Sequence, residues 1–316
     1  MILSLQHYEE KKLIFTPKFW RITRRLNEKN RQQTKMTDMD LSESDLFNLD
    51  IGKRGGNFFL GFFSKEGIIL ALEKYGLYAE LKKRGFEHII TVVDTSDLYR
   101  HKILIYDEKK SQQNLLIELV LRKSFFKLDL PFQNEYNGMC FQCLTIDWLS
   151  MQNPRSEFTS KRPRLPGQKN PGLGMSIVAV ELLLITCWRL NLAALINFPE
   201  HYHNAFLYSK YFYYLDPIAQ AKYLAVQKAF KSIPLDTLSW GIDWGCLRDE
   251  NKNEIFNWMV SEQLIPLDER LKNLFTGKQY KNYVKEKVKE FKFSFDEEKY
   301  QKIKKKMSVT SMERII

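Results

Sequence analysis

The chain has 316 residues, of which 44% are apolar, 14% aromatic and 28% charged. This composition is too apolar for an intrinsically disordered protein, and the length suffices for one large domain or two smaller ones. The formal net charge of +11 favours anionic partners such as nucleic acid, a membrane surface, an acidic carrier protein or a phosphorylated cofactor.

Membrane, export and thiol signals are weak. The longest apolar stretch, 177–188, is too short to cross a bilayer and predicts a buried helix. The first residues lack the basic region and apolar run of a secretory signal. Four cysteines are too few for a disulfide scaffold, so we expect a cytoplasmic protein. Cys140 and Cys143 form a C-x-x-C pair, but without a second pair or a histidine pair we expect no metal site.

The first fifty residues predict a helical N-terminal arm and a polar linker. Residues 8–33 place apolar side chains on one helical face and mostly Lys, Arg, Glu and Gln on the other. Such a basic amphipathic helix usually packs on its own domain, although it can also lie on a membrane. Residues 34–50 are polar and acidic, as is typical of a linker.

A helix and a run of strands follow. Residues 64–84 carry a helical apolar pattern, which Gly85 ends. The next segments are β-branched or alternate in polarity, and turn-forming residues separate them. The predicted strands are 88–93, 102–106, 115–123 and 140–149. Their spacing predicts an antiparallel meander, because no helical segments lie between them.

The pattern changes after the meander. A loop rich in Gly, Pro and basic residues at 162–174 precedes an apolar helix at 176–191. A short buried strand at 192–198 and a second helix at 203–213 follow. Beyond 217 we expect a mostly helical chain, with three core aromatics at Trp240, Trp244 and Trp258.

The loop before the apolar helix has the chemistry of an anion site. Gly172 and Gly174 allow the backbone to approach a ligand closely. The first amides of a helix have no partner within it, and the helix dipole adds partial positive charge. Arg162, Arg164 and Lys169 can neutralise further charge. The loop therefore predicts binding of a phosphate or pyrophosphate.

This order of elements resembles the GNAT superfamily of N-acetyltransferases, in which antiparallel strands lead to a Q/R-x-x-G-x-G/A loop and a long helix. The matching stretch is 169–174, Lys-Asn-Pro-Gly-Leu-Gly, with Lys in the first position and Gln one place early. The resemblance implies a cofactor site made by Gln168, Lys169, Asn170, Gly172, Leu173, Gly174 and Met175, together with Leu149 and Met151 on the preceding strand.

A second stretch, 201–213, is similar to the N-x-x-A-x-x-L-Y-x-K-x-G-F pattern of the same family. The matching positions are Leu207, Tyr208 and Lys210, with Tyr213 as the terminal aromatic. The departures are His201 for the usual Asn, Asn204 for Ala and Phe212 for Gly. They leave the geometry of the cofactor and the shape of the substrate open.

The resemblance implies an acyltransferase in which an amine attacks the thioester of acetyl-CoA or another acyl-CoA directly. An acyl carrier protein is an alternative donor. A backbone amide near Leu149 to Met151 would stabilise the oxyanion, and Tyr208 would protonate the departing thiolate. His201 and His203 are candidate bases because histidine titrates near neutral pH. The other candidate bases are Asp147, Glu157 and Glu200.

The predicted fold is mixed α/β (α+β): a GNAT-like, mainly antiparallel sheet with flanking helices, an N-terminal helical arm and a C-terminal helical extension. We expect three regions, at 1–50, 51–220 and 221–316. One alternative function is a non-catalytic CoA-binding protein. Another is a nucleic-acid or membrane-surface binder that uses the basic helices at 8–33 and 278–306.

Overall fold

The computed structural model describes Phe19 and residues 58–313, with side chains through 307. The predicted linker at 34–50 and the rest of the predicted helix at 8–33 lie outside the described residues. Phe19 is buried, and its ring centre lies 5.4 Å from that of Trp188.

The described residues form a mixed α/β fold with a mainly antiparallel seven-stranded sheet and helices on its faces. The strands are β1 (Ile89–Asp94), β2 (His101–Asp107), β3 (Leu115–Lys127), β4 (Cys140–Met151), β5 (Ala194–Asn197), β6 (Tyr213–Tyr214), β7 (Leu247–Asp249), β8 (Glu254–Ile255), β9 (Gln263–Pro266) and β10 (Phe293–Phe295). The order in the main sheet is β1-β2-β3-β4-β5-β9-β6, and β10-β7-β8 form a small second sheet.

Helices precede, separate and follow these strands. They are α1 (Lys65–Lys74), α2 (Leu77–Lys82), α3 (Ser176–Arg189), α4 (Tyr202–Tyr208), α5 (Pro217–Ala229), α6 (Leu235–Asp243), α7 (Glu269–Thr276), α8 (Lys278–Val288) and α9 (Glu297–Glu313). Among the described residues, no helix combines the length and the apolarity needed to cross a membrane.

The predicted meander is confirmed, because β1 to β4 pair antiparallel in chain order. The prediction of one helix over 64–84 is wrong in one respect. Gly76 adopts a left-handed backbone (φ 94°), which divides the segment into α1 and α2. Gly85 (φ 85°) follows α2 and ends it as expected.

The prediction of a mostly helical segment after 217 is incomplete. The short strands β7 to β10 lie there, and β9 pairs antiparallel with both β5 and β6 inside the main sheet. The segment predicted as a helical extension therefore contributes a strand to the sheet. Four residues, Gln-Leu-Ile-Pro, are too few for a periodic pattern to identify such a strand.

The three tryptophans predicted for the core are half-buried. Trp240 donates its indole N–H to the carbonyl of Arg164 at 2.8 Å, and Trp258 donates its own to Pro199 at 3.0 Å. Tryptophan commonly sits in this way, with its ring packed and its N–H bonded.

Hydrophobic clusters cover both faces of the main sheet. On one face, Leu195 and Ile265 pack with α1, α2 and α3. On the other face, Ile196, Leu264 and Tyr213 pack with α7 and α8. A third cluster joins α4, α5 and α6 around Tyr214.

Candidate functional site

Strand β4 extends beyond its last pairing with β5. The two strands pair in parallel over four residues, the last pair being Ile146 with Asn197. The register between β3 and β4 shifts at the next residue, Asp147, which forms a bulge. A bulge bends the strand that carries it, and β4 continues to Met151 without a β5 partner. Ligands of sheets with parallel strands commonly bind beyond such carboxyl ends.

Between the last β5 pair at Ile146 and the bridge of Gln152 with Gly172, the edge of β4 that faces away from β3 has no strand partner among the described residues, and we call this interval the opening. The Gln152 amide donates to the Leu116 carbonyl of β3 at 2.8 Å, whereas the Met151 carbonyl accepts from the Leu173 amide at 3.2 Å. Successive residues of a strand point their backbone groups in opposite directions. The amides of Leu149 and Met151 therefore point away from β3. Both predicted strand residues line the opening.

Two arginines hold the glycine turn that precedes α3. Arg162 Nη2 donates to the Gly172 carbonyl at 2.6 Å. Arg84 Nε donates to the Leu173 carbonyl at 2.8 Å, and its Nη2 donates to the Gly174 carbonyl at 3.3 Å. Gly174 needs to be glycine for its left-handed backbone (φ 67°). Arg162 thus binds the loop itself, and Arg84 is a loop-positioning residue that sequence reasoning missed.

The N-terminus of α3 is free of side-chain caps. Met175 occupies the N-cap position and provides no hydrogen bond, and the first turn has no acidic residue. The first amides of the helix consequently have no partner within it, and Ser176 and Ile177 are exposed. The side chains of Leu173 and Met175 are buried, so these two predicted cofactor residues can offer a ligand only their backbone.

Of the other predicted loop residues, Gln168 and Asn170 form hydrogen bonds within the protein, whereas Lys169 is exposed. Gln168 Oε1 accepts from the amide of Leu165 at 3.2 Å, which closes a turn within the loop. Asn170 Nδ2 donates to Gln152 Oε1, also at 3.2 Å. Lys169 is exposed. Of the three side chains, that of Lys169 is therefore the one directed to solvent.

The two predicted histidines lie together at the start of α4. Their rings are stacked, with centres 5.5 Å apart and planes inclined by 15°. His201 Nδ1 lies 3.1 Å from Asp243 Oδ1 at the end of α6. A carboxylate that accepts from Nδ1–H leaves Nε2 as a proton acceptor. Burial and the neighbouring His201 lower the pKa of His203 to about 4, so its imidazole is neutral at neutral pH.

The Gly/Pro loop covers His201. Gly167 has a left-handed backbone (φ 73°), and a Cβ atom at this position would lie 2.7 Å from His201 Nε2. The bond from Trp240 to the carbonyl of Arg164 attaches the same turn to α6. Gly167 is therefore required both by its backbone conformation and by the close approach of the imidazole.

Tyr208 lies away from the histidines. It is the last residue of α4 and packs into the cluster around α3, with its ring 5.9 Å from that of Phe212. The rise of a helix puts it about 10 Å along the axis from His201. Burial raises the pKa of Tyr208, so the hydroxyl stays protonated at neutral pH.

The remaining candidate bases have other environments. Asp147 forms ion pairs with Arg122 at 2.9 Å and Arg100 at 3.2 Å. Glu157 and Glu200 are exposed. Asp243 was missed because it lies 42 residues from His201 in sequence, in a stretch with no motif.

The C-x-x-C pair does not form a thiol site. Cys140 is exposed and Cys143 is buried, and both are free. Residues three apart on a strand point to opposite faces. Burial raises the pKa of the Cys143 thiol, which makes it less reactive.

Comparison with known proteins gives no family for this chain. No protein-family model matches it, and no curated protein matches it. A functional assignment therefore depends on the chain's own geometry.

Proposed function

We propose that this chain is a GNAT-like N-acyltransferase that transfers an acyl group from acetyl-CoA or another acyl-CoA to an amine by direct attack. The observation that carries the proposal is the opening along β4 beside the uncapped N-terminus of α3. These two features would supply an anion site and, beside β4, a place for the rest of the donor.

The donor would bind in two parts. Its phosphates would meet the free amides of α3 and the exposed Lys169, where the helix dipole favours negative charge. Its thioester arm would enter the opening. There the amide of Leu149 points toward the carbonyl oxygen that becomes an oxyanion during attack.

Two side chains would move the protons. His201, oriented by Asp243, accepts a proton from the amine, and Tyr208 gives one to the thiolate sulfur. His201 and Tyr208 lie at opposite ends of α4. The distance between them is roughly that of the reacting nitrogen, carbon and sulfur plus one hydrogen bond of about 3 Å at each end, so both residues could reach the reacting atoms. Because Gly167 covers His201 Nε2, contact between this nitrogen and the amine requires displacement of the 165–168 turn or a bridging water.

Donor binding is tested by the thermal midpoint with acetyl-CoA, CoA, a long-chain acyl-CoA and an acyl-loaded carrier protein. A ligand at about 100 times its dissociation constant adds roughly 2.7 kcal/mol. We expect Gly172→Asp to abolish the shift, because it adds negative charge at the anion site. Gly172→Ala is the matched control, since a Cβ there lies at an ordinary 3.6 Å from the Met151 carbonyl. No shift of the parent with any donor contradicts the proposal.

The role of Tyr208 is tested by Tyr208→Phe. We expect unchanged donor affinity and acyl transfer slower by about 10²-fold or more, because the thiolate loses its acid. Thiol release is measured across a panel of amines, with the donor-induced thermal shift as the control for binding. Equal rates in the variant and the parent would remove Tyr208 from the mechanism. Donor binding without turnover by the parent on any amine would favour the non-catalytic CoA-binding alternative.

Of the two basic segments, the described one at 278–306 gives the nucleic-acid or membrane alternative little support. In α8 and just after it, Lys287 pairs with Glu290 at 2.8 Å and Lys289 with Glu286 at 2.7 Å. Such neighbouring pairs are typical of a solvated charged face. This alternative predicts salt-dependent binding to RNA, DNA or anionic vesicles.

A further inference from the structure

Three polar side chains lie next to one another on the sheet where β5, β9 and β6 meet. Asn197 pairs with Gln263, and Gln263 pairs with Tyr214. Directly opposed residues of antiparallel strands share one face, with Cβ atoms about 5 Å apart. None of the three is more than 4% exposed. Residues 197, 214 and 263 thus form a buried polar row.

The side chains of this row lack well-formed hydrogen bonds within the described part of the chain. Five of their polar side-chain atoms have no well-formed hydrogen-bond partner among the described residues. They are both polar atoms of Asn197, both polar atoms of Gln263 and the hydroxyl oxygen of Tyr214. Burial raises the pKa of Tyr214, and the adjacent Gln263 amide lowers it in part, which indicates that these two groups are close.

Two more unpaired groups come from the helices that cover this face. His203 Nδ1 on α4 and Ser239 Oγ on α6 are buried and have no partner among the described residues. Both helices pack in the same cluster as Tyr214, so they lie on the polar side of the sheet. Ser239 is one helical turn before Asp243, the partner of His201. We call Asn197, Gln263, Tyr214, His203 and Ser239 the polar patch.

This concentration is unusual for a protein interior. The large majority of buried polar side-chain atoms in native structures are hydrogen-bonded, and an unpaired one is costly. Elsewhere in the described residues, the one other buried side-chain atom in this state is Asp107 Oδ1. A set of unpaired groups on five elements is more typical of a binding site than of a core.

The chemistry of the patch selects its ligand. Two carboxamides, two hydroxyls and one imidazole offer both donors and acceptors, and none carries a formal charge when the imidazole is neutral. A buried ammonium or carboxylate ion would find no opposite charge among them. An uncharged group that both donates and accepts hydrogen bonds would satisfy the unpaired atoms.

We propose that the polar patch binds an uncharged carboxamide or hydroxyl group of the acceptor, next to its reactive amine. This inference rests on the proposed function, because the ligand is the acceptor amine only if the chain transfers acyl groups. The donor's anion site lies at the N-terminus of α3, whereas the patch includes His203, whose ring stacks on His201. A group bound at the His203 end of the patch therefore lies beside the proposed base.

The test compares four small amines as acceptors with acetyl-CoA. Glycinamide carries a carboxamide, ethanolamine a hydroxyl, glycine a carboxylate and propylamine a methyl group. We expect glycinamide or ethanolamine to exceed propylamine and glycine by about tenfold or more in kcat/KM. Gln263→Met replaces the carboxamide by an apolar group of similar size. It should reduce the ratio of kcat/KM between the polar amines and propylamine to near one. Leu264→Met, on the opposite face of the same strand, is the matched control and should retain it.

A binding measurement separates failure of this inference from failure of the proposed function. The parent is titrated with glycinamide, ethanolamine and propylamine without donor, and binding is followed by NMR. Glycinamide or ethanolamine binding that is lost in Gln263→Met but kept in Leu264→Met supports the patch even if no amine is acetylated. Asn197→Leu is the second variant if Gln263→Met does not fold. Equal treatment of the three amines by the parent, in both binding and turnover, overturns the inference.

Discussion

Two faces of the same three strands carry opposite chemistry. On one face of β5, β9 and β6, Ile196, Leu264 and Tyr213 lie side by side and pack against α7 and α8. One residue along each strand, the side chains turn to the other face and form the row of residues 197, 263 and 214. The two rows are buried to a similar extent.

The difference between the faces is hydrogen bonding and not exposure. The apolar row lowers the free energy of the fold by removing hydrocarbon from water. The polar row loses its contacts with water and gains few in return. Burial alone therefore does not distinguish a stabilising core from a binding surface, whereas the pairing of polar atoms does.

The largest expected effect is a loss of stability on substitution in the apolar row. Leu264 is fully buried. Leu264→Ala should lower the free energy of unfolding by about 2–5 kcal/mol, because it removes buried methyl groups and leaves a cavity. Urea denaturation measures the change. Gln263→Met, from the polar face, should leave stability unchanged or raise it, because a group without a partner is replaced by an apolar one of similar size. Equal losses in both variants would contradict the comparison.

The next effect is a pH dependence from the polar face. Burial and the adjacent His201 lower the pKa of His203 to about 4, so the unfolded chain binds its proton more tightly. The free energy of unfolding therefore includes a part that depends on neutral His203. That part is fully present above pH 6.5 and is lost as the pH falls toward 4, to a total of about 3 kcal/mol.

His203→Gln should flatten the fall in stability over this window. Urea titrations of both proteins at several pH values measure it. Burial also lowers the pKa of His101, but His101 is present in both proteins and its effect cancels in the difference. Parallel curves for the two proteins would show that His203 is not held neutral.

The smallest effect concerns the turn that covers His201. Gly167→Ala and Gly174→Ala both place a side chain on a left-handed backbone, at a cost of about 1 kcal/mol. At Gly174 nothing lies within 4 Å of the new Cβ, whereas at Gly167 it meets His201 Nε2 at 2.7 Å.

We therefore expect Gly167→Ala to lose about 1 kcal/mol more of its free energy of unfolding than Gly174→Ala does. It should also displace the His201 ring. Thermal midpoints measure the first effect, and histidine NMR resonances the second. Unchanged His201 resonances in Gly167→Ala would show that the turn does not hold the imidazole in place.

Part of this architecture could be predicted from sequence. The four-strand meander, the long apolar helix and the glycine loop each carry a local pattern, and the structure contains all three. His201 and His203 were found because they are close in sequence. Gly76 was missed as a break because a single glycine within a helical pattern is often tolerated.

Other parts could not be predicted because their information is not local. β9 has four residues, and its assignment depends on two distant strands that pair with it. Asp243 and Ser239 lie in an ordinary helix, and nothing in the sequence relates them to the histidines. Arg84 binds a loop about ninety residues away.

The sequence by itself determined the periodic elements, the positive charge and the glycines that form turns, because these follow from neighbouring residues. The tertiary structure alone decided that residues 197, 214 and 263 form one row and that Asp243 meets His201. Strand register and helix packing bring together residues far apart in the chain, and the cost of an unpaired polar group appears only after burial.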